Sequence, residues 1–326
     1  MKTNFFTKLL YPPHYLSMGA AGVDIRDRSV RYIEFADKRG ALSVKHFGEI
    51  PLPADTVKGG EIVNPTALAK VLSEIRTKLS SDFVRIAIPE EQAYIFDTQV
   101  PILPGSNVRE SIELGLEENV PLTADEVSFE YDAIRKSGRE NTATMLASVS
   151  VIPKKTIASF TDACAEAGLA PVSFEIESRM VARSVSPRGN GKTFLVVHIK
   201  ENSTLLLLIA SDTVRFTSTV PVGGASLIEN PEAFSAIRDE IDKFGEYLSS
   251  KSDEKGTFLS KMIDQIILSG RSAAIPGLAG RIGQVLAAPV ALANVWTNAF
   301  DINARLPRLA FEDSLDFATA IGLALA

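Results

Sequence analysis

The chain has 326 residues, of which 45% are hydrophobic and 23% charged, so it can bury a sizeable core arranged as two domains or lobes. Its net charge of −6 argues against non-specific nucleic-acid binding, which requires a basic surface. No apolar run approaches the roughly 20 residues that a membrane-spanning helix needs. The single cysteine, Cys164, cannot form an internal disulfide, and we expect an inert core thiol in a reducing compartment.

Residues 1–20 are predicted to be an N-terminal tail. The stretch from Met1 to Met18 has two lysines and a short Phe/Leu cluster, but Pro12 and Pro13 interrupt it. Its apolar part is too short for a signal peptide, which also needs a small-residue cleavage site. Two interpretations stay open: a partly ordered tail, or a short interfacial anchor or docking arm.

Three segments with strand-like alternation follow the tail. We predict strands at Ala21–Ile25, 29–35 and 42–50, joined as an antiparallel meander. Asn64 and Pro65 then open a helix, because asparagine is a favoured N-cap and proline is tolerated in the first helical turn.

The segment 83–169 has an order of its own, and we predict that it is an inserted subdomain. Its periodicity indicates a βαββα-like unit that is preceded by one additional strand. The strands are expected at Phe83–Ile88, 94–100, 127–134 and 142–151, and the helices after Ser106 and from Pro153.

The meander-then-helix order occurs a second time, after a polar, Gly-rich stretch at 188–192 that predicts a hinge. The strands of this second meander are expected at Phe194–Ile199, 205–210 and 213–219, and a helix begins near Phe234. The repeated order indicates two lobes of the same architecture.

A further unit runs from Gln265 to Ala293. The apolar run 266–268 predicts a buried strand, Ser269 and Gly270 break it, and a helix and another strand follow. Such a βαβ unit implies a parallel sheet, in which ligands sit at the carboxyl ends of the strands.

Four stretches carry the most specific signal. They are GVDIRDRSVRYIEF at 22–35, FEIESRMVARS at 174–184, LSGRSAAIPGLAGRIGQVLAAPVALAN at 268–294 and SLDFATAIGLALA at 314–326. In this order and spacing they resemble the PilM family, the actin-like proteins of type IV pilus assembly. The division protein FtsA shares the inserted subdomain and is the near alternative, although its amphipathic C-terminal tail has no counterpart here.

The resemblance implies an α/β, two-lobed actin-like ATPase (RNase H-like) fold with an inserted small α+β subdomain. The first lobe would comprise 21–82 and 170–188, together with the C-terminal helix 313–326. The second lobe would comprise 189–312, with a shortened small module. The insertion would comprise 83–169.

The resemblance also implies a cytoplasmic scaffold, peripheral at the inner membrane. The expected partner is a short cytoplasmic peptide of a PilN-like single-span membrane protein, bound in the cleft between the first lobe and 83–169. Other pilus or secretion assembly proteins are further expected partners, contact with the membrane would be indirect, and no nucleic acid is expected. Two alternatives stay open: an active ATP-binding switch of the same machine, and an FtsA-like or secretion-system actin-like protein.

The nucleotide site implied by the family is altered in this sequence. Its phosphate clamps need glycines, because backbone N–H groups must approach phosphate oxygens closely. The clamps at 24–26 and 198–200 read Asp-Ile-Arg and His-Ile-Lys where the family has Asp-Ile-Gly. Gly270 is followed by Arg271 instead of a second glycine, and the segment after Gly224 is short.

We therefore expect a pseudo-ATPase without a nucleotide cofactor, with ATP and magnesium as the alternative. The candidate residues of this degenerate site are Asp24, Arg26, Ser29, His198, Lys200, Gly223, Gly224, Gly270 and Arg271. Asp24 is a metal ligand only if magnesium-ATP binds. Glu175 and Glu177 are predicted to lie on one strand, and no catalytic residue is expected.

Overall fold

The computed structural model describes residues 19–38, 41–102, 107–137, 144–189, 191–251, 263–286, 288–303 and 307–326. The predicted tail, apart from its last two residues, and the predicted cap Ser106 lie outside them. The strands are β1 (Ala21–Ile25), β2 (Ser29–Lys38), β3 (Ala41–Pro51), β4 (Val57–Lys58), β5 (Glu61–Ile62), β6 (Phe83–Ile88), β7 (Tyr94–Pro101), β8 (Val127–Ser137), β9 (Thr144–Pro153), β10 (Ala170–Ile176), β11 (Phe194–Ile199), β12 (Thr204–Ala210), β13 (Thr213–Val220), β14 (Gln265–Ser269) and β15 (Val290–Leu292). The α-helices are α1 (Pro65–Arg76), α2 (Val108–Leu114), α3 (Lys154–Glu166), α4 (Glu177–Val185), α5 (Gly224–Glu229), α6 (Phe234–Lys251), α7 (Leu278–Leu286), α8 (Phe311–Ser314) and α9 (Ala318–Ala324).

The first lobe is built on a five-stranded sheet with the order β3-β2-β1-β6-β10. β1, β2 and β3 form the predicted antiparallel meander, whereas β6 pairs in parallel with both β1 and β10. Every residue of β1 is buried, because this central strand is covered on both faces. The strand therefore delivers its last residue, Ile25, and the following Arg26 to the carboxyl edge of the sheet.

Helix α1 begins as the sequence predicts. The side-chain oxygen of Asn64 accepts the backbone N–H of Ala67 at 3.1 Å, and Pro65 is the first helical residue. Its apolar stripe, which includes Leu68 and Leu72, is buried in the core of the first lobe. Packing of this stripe, more than helix propensity, fixes the helix on the sheet.

The predicted boundary of the insertion at 83–169 is wrong at both ends. Strand β6 lies inside the first sheet between β1 and β10, and α3 packs against α1 through Phe160 and Cys164. Burial raises the pKa of the Cys164 thiol to about 12, which keeps it protonated and unreactive. The insertion thus narrows to the segment from β7 to β9.

The insertion has a three-stranded antiparallel sheet, in the order β7-β9-β8, and its own core with α2. Its two ends are neighbours, since Tyr94 pairs with Val151. It also contacts the second lobe: Arg215 on β13 forms an ion pair with Asp97 on β7. The insertion therefore bridges the lobes instead of extending from the first lobe alone.

The second lobe repeats the first. Its sheet has the order β13-β12-β11-β14-β15, again an antiparallel meander followed by two parallel strands. Helix α4 leads from the first sheet to the second, and α9 packs against it. No helix among the described residues combines the length and the hydrophobicity needed to cross a bilayer.

Candidate functional site

A cleft of about 260 Å³ lies between the lobes, where β1 and β11 end. Its lining consists of 24–29, Arg31, Glu49, Gly60, Pro89, Glu91, Glu177, 200–203, Arg271, Ser272 and Asp316. We call it the interlobe cleft. It brings together Arg26, Lys200 and Arg271, three of the residues that the family resemblance implies for one site.

Arg26 follows β1 and points into the protein, with a side chain only 13% exposed. Its Nε donates to the Asp24 carboxylate at 2.7 Å, and its Nη1 lies 3.7 Å from the Asp316 carboxylate. Its Nη2 donates to the Asp316 carbonyl at 3.3 Å and approaches the Thr319 hydroxyl at 3.5 Å. Burial disfavours the charged form, but Asp24, Asp316 and Glu177 outweigh it and raise the pKa of Arg26. The guanidinium is therefore permanently charged and fully engaged.

Lys200 holds the matching position after β11. Its Nζ donates to Glu177 at 3.0 Å and to Glu91 at 3.3 Å. Burial alone would raise the pKa of Glu177, but Lys200 and Arg26 lower it to about 2. Both partners of this buried pair are thus charged near neutral pH.

The prediction that Glu175 and Glu177 lie on one strand is wrong. Strand β10 ends at Ile176, and Glu177 is the first residue of α4. The change of backbone geometry turns its side chain into the cleft, where it is 4% exposed. Glu177 is therefore a site residue that the sequence reading missed.

His198 is fully buried at the end of β11. Its Nε2 lies 3.5 Å from Arg26 Nη2 and 4.0 Å from a Glu177 oxygen. Burial, followed by the charges of Arg26 and Lys200, lowers the pKa of His198 to about 3, and Glu177 opposes this only partly. The imidazole is therefore neutral, and it supplies no negative charge at the second clamp.

Asp316 is the second site residue that the sequence analysis does not predict, and three arginines contact it. Arg31 donates to it at 2.9 Å, and the backbone N–H of Arg271 donates to it at 3.2 Å. Burial acts to raise the pKa of Asp316, but Arg26 and Arg31 lower it overall. Glu49 closes the group, because it accepts from Arg31 at 2.7 Å and lies 3.5 Å from Arg271.

The glycines of the predicted site are explained by close backbone approach. Gly270 has φ +85°, and a Cβ there would lie 2.2 Å from the Ile199 carbonyl. A Cβ on Gly224 would lie 1.8 Å from the Ser272 hydroxyl, and Gly223 precedes α5 as its N-cap. These contacts join β11, β14 and α5 within the second lobe.

Ser29 is the remaining candidate residue and starts β2. Its carbonyl accepts the backbone N–H of Arg26 at 3.0 Å, which closes the turn between β1 and β2. The residue is 8% exposed. Ser29 thus shapes the first clamp through its backbone.

The cleft lining has seven carboxylates and five cationic side chains. Each of the five cations is within ion-pair distance of a carboxylate, including the exposed pair of Arg28 and Glu201 at 3.6 Å. In the part of the chain that the structure describes, no three or more His, Cys, Asp or Glu side chains are grouped to hold a metal ion. Every cation of the lining therefore has a carboxylate partner, and the predicted metal ligand Asp24 is already paired with Arg26.

The boundary between the insertion and the first lobe carries a second polar contact. Arg179 on α4 forms an ion pair with Asp132 on β8 and donates to the Ser150 hydroxyl on β9 at 2.9 Å. This boundary is where the sequence predicts partner binding.

Comparisons with known proteins address the family and the fold. The family described as type IV pilus assembly protein PilM matches residues 22–240. A solved PilM-PilN type IV pilus biogenesis complex matches with a TM-score of 0.76 at 19% identity, over 94% of this chain and 98% of the other, so the fold is shared. The ethanolamine utilization protein EutJ from Carboxydothermus hydrogenoformans matches with a TM-score of 0.46 at 14% identity, over 94% and 89% of the two chains. The cytoplasmic domain of EpsL from Vibrio cholerae matches with a TM-score of 0.43 at 14% identity, over 77% and 81%.

The search of curated proteins finds no match. The family match spans about two thirds of the chain, and the shared fold confirms the predicted two-lobed actin-like architecture. The chain therefore belongs to the family of type IV pilus assembly protein PilM.

Proposed function

We propose that this chain is a scaffold of a type IV pilus assembly machine, and that its own side-chain ion pairs close the interlobe cleft in place of a nucleotide. The observation that carries the proposal is Arg26, which is buried between Asp24 and Asp316 at the first clamp. Membership of the PilM family supports the role in pilus assembly. The ion pairs of the cleft support the proposal that the cleft is closed to nucleotide.

The cleft residues fit magnesium-ATP poorly. A triphosphate needs backbone donors close to its oxygens and a carboxylate on its metal. Arg26 and Lys200 replace both clamp glycines, and the Asp24 carboxylate already accepts from Arg26. His198 is neutral and buried, so this position provides no carboxylate ligand for magnesium.

Charge also opposes a polyanion. With seven carboxylates against five cations, the lining is net negative before any ligand enters. Phosphate oxygens would have to take Arg26 and Lys200 from their carboxylates and leave those carboxylates unpaired in a buried site. An unpaired buried charge costs about 3–5 kcal/mol. The paired state should therefore persist at cellular ATP concentrations.

The partner is proposed to be a PilN-like single-span membrane protein, because the matched complex is formed by PilM and PilN. Its short cytoplasmic peptide would dock between the first lobe and the insertion from β7 to β9. Extended peptides of this kind bind through backbone hydrogen bonds and side-chain pockets. Through such a partner the protein would be held at the cytoplasmic face of the inner membrane, with other assembly proteins bound there as well.

Thermal unfolding with millimolar magnesium-ATP tests the closed cleft. A ligand that binds only the folded state stabilises it by about 2.7 kcal/mol at a hundredfold excess over Kd. We expect no ATP-specific shift of the unfolding temperature for the wild type. A shift that is absent with magnesium and inorganic phosphate would instead support the nucleotide-switch alternative.

A variant that combines Arg26→Gly, Lys200→Gly and His198→Asp is a second test, because it restores glycine and aspartate at the two clamps. If the clamps alone exclude nucleotide, this variant gains an ATP shift. Arg28→Gly is the matched control, because Arg28 lines the cleft but is exposed and outside the buried pairs. A shift in the control equal to that of the triple change would contradict the assignment to the clamps.

The partner site is tested by removing the insertion. A deletion of 83–169 would take β6 and α3 out of the first-lobe core, so the deletion should span 94–153. A short linker suffices, because Tyr94 and Val151 are paired neighbours. The shortened protein should fold and lose binding of a PilN N-terminal peptide in fluorescence anisotropy. Retained affinity would place the peptide elsewhere.

A further inference from the structure

A second cavity of about 220 Å³ lies where the insertion meets α4 and the β12–β13 hairpin. It shares no lining residue with the interlobe cleft. Its charged lining consists of Arg179, Arg183 and Arg188 with Asp132 and Asp212. We call it the arginine pocket, since three guanidinium groups face two carboxylates in a protein of net charge −6.

One arginine and both aspartates of the pocket are already engaged. Arg179 is paired with Asp132 and held by the Ser150 hydroxyl. The Asp212 carboxylate accepts the backbone N–H of Gly189 at 2.8 Å. Arg183 and Arg188 remain against the single negative charge of Asp212, so the pocket carries one net positive charge.

Arg183 and Arg188 form no ion pair with any described residue. The Nη1 of Arg183 donates to the Gly322 carbonyl at 3.3 Å, and its backbone carbonyl accepts the Asn298 amide at 2.7 Å. Neutral groups therefore fix the position of Arg183 without cancelling its charge. Arg188 is exposed and lies at the end of the pocket where α4 gives way to the hinge.

Three arginines and one glutamate act on the charge of Arg183. Burial lowers the pKa of Arg183, and Arg188, Arg179 and Arg85 lower it further, against the opposing effect of Glu175. A half-buried cation crowded by other cations is stabilised by any anion that reaches it. The pocket is thus arranged to receive negative charge.

The shape and the charges favour a carboxylate over a phosphate. Guanidinium groups bind planar carboxylates through two parallel hydrogen bonds. A phosphate dianion would be repelled by Asp132 and Asp212, whereas the same two aspartates can accept N–H groups of a peptide backbone. The volume suits a single side chain better than a nucleotide.

We propose that the arginine pocket binds the carboxylate of an acidic side chain on an extended peptide, held between Arg183 and Arg188. The inference rests on the proposed function, in which the partner docks as a peptide at the insertion. It adds the chemistry of that partner: an acidic residue that reaches the crossing helix α4.

The test uses the acetylated, amidated tripeptide Gly-Glu-Gly at millimolar concentration, with arginine Nε–H resonances followed by NMR. Arg183→Gln and Arg188→Gln assign the two signals. Both signals should shift saturably with Gly-Glu-Gly and stay in place with Gly-Gln-Gly. Arg188→Gln should weaken binding at least about tenfold, as expected for a lost charge-assisted hydrogen bond, and it should fold normally because Arg188 is exposed.

Arg238→Gln is the matched control, since Arg238 is an exposed arginine on α6 outside the pocket. It should leave the titration unchanged. No shift with Gly-Glu-Gly, or an equal shift with Gly-Gln-Gly, would overturn the proposal. An equally strong response to inorganic phosphate would reassign the pocket to phosphate. The readout needs neither nucleotide nor PilN, so it fails independently of the tests of the proposed function.

Discussion

The two lobes place a cation at the same point of the same fold but neutralise it differently. Arg26 and Lys200 each follow the first strand of a five-stranded sheet. Arg26 finds its carboxylate two residues back, in Asp24, whereas the corresponding residue before Lys200 is the neutral His198. Lys200 therefore pairs with Glu177, which begins the helix that crosses between the lobes.

This difference shows that the residue two positions before the cation decides where its counter-charge comes from. With Asp24 in that position, Arg26 pairs within its own lobe and with the C-terminal segment. With the neutral His198 there, Lys200 takes its partner from another element, and the ion pair then links the second sheet to the crossing helix. The second clamp should consequently be the more sensitive of the two to a single substitution.

Glu177→Gln should have the largest effect on stability. It leaves the Lys200 ammonium buried with only Glu91 as a charged partner, and breaking a buried pair in this way costs about 3–5 kcal/mol of unfolding free energy. Urea unfolding at neutral pH measures the change. Glu175→Gln, two residues earlier and only partly buried, is the control and should cost less than about 1 kcal/mol.

Adding Lys200→Met to Glu177→Gln sharpens the same comparison. The double variant removes both charges, so it should recover most of the lost stability. A single Glu177→Gln loss below about 1 kcal/mol, or no recovery in the double variant, would show that the second clamp is not held by this pair.

Asp24→Asn should have a smaller effect than Glu177→Gln. Arg26 loses one carboxylate but keeps Asp316 and its hydrogen bonds to the carboxyl-terminal helix. The expected cost is about 1.5–3 kcal/mol, typical of a hydrogen bond to a charged group. Urea unfolding beside Glu177→Gln gives the order directly, and a reversed order would contradict the contrast between the lobes.

His198 should give the second clamp a pH dependence. Its pKa falls from 6.5 to about 3 on folding, so between these values the unfolded state binds more protons. Stability should therefore fall as pH drops through this window, by about 1.4 kcal/mol per pH unit from this group. Glu90, whose pKa burial raises to about 7, acts in the opposite direction above pH 4.5.

His198→Gln isolates the histidine contribution from that of Glu90. The difference in unfolding free energy between wild type and variant should widen in favour of the variant as pH falls from 6.5 to 4.5. The neighbouring charges, which are Arg26, Glu177, Lys200 and Asp316, are the same in both proteins. Parallel curves for wild type and variant would contradict a neutral buried His198.

Arg28→Ala should have the smallest effect. Its pair with Glu201 also spans the lobes, but the two side chains are 68% and 58% exposed. An exposed pair contributes at most about 1 kcal/mol and is screened by salt. A larger loss in urea unfolding would mean that surface contacts, and not the buried pairs, join the lobes.

Local periodicity and turn residues predict the two meanders and the βαβ unit, whereas the meeting of Arg26, His198, Lys200 and Arg271 is implied by the family resemblance. Periodicity does not predict the partners of Phe83–Ile88, which lie far away in the chain. That is why the predicted insertion begins too early.

Glu177 and Asp316 are not predicted as site residues for a different reason. The predicted strand continues past Ile176, whereas the structure begins a helix at Glu177. Asp316 lies between Leu315 and Phe317, and its neighbours in sequence do not indicate a partner. Only the fold reveals that the partners are Arg26, Arg31 and Arg271.

Equilibrium dialysis of the purified protein against magnesium-ATP tests the central claim most directly, because it measures occupancy of the interlobe cleft. The account predicts no specific retention of ATP by the wild type at millimolar ligand, and retention that appears only when Arg26 and Lys200 are replaced by glycine and His198 by aspartate. Saturable binding of ATP to the wild type with a micromolar Kd would contradict it.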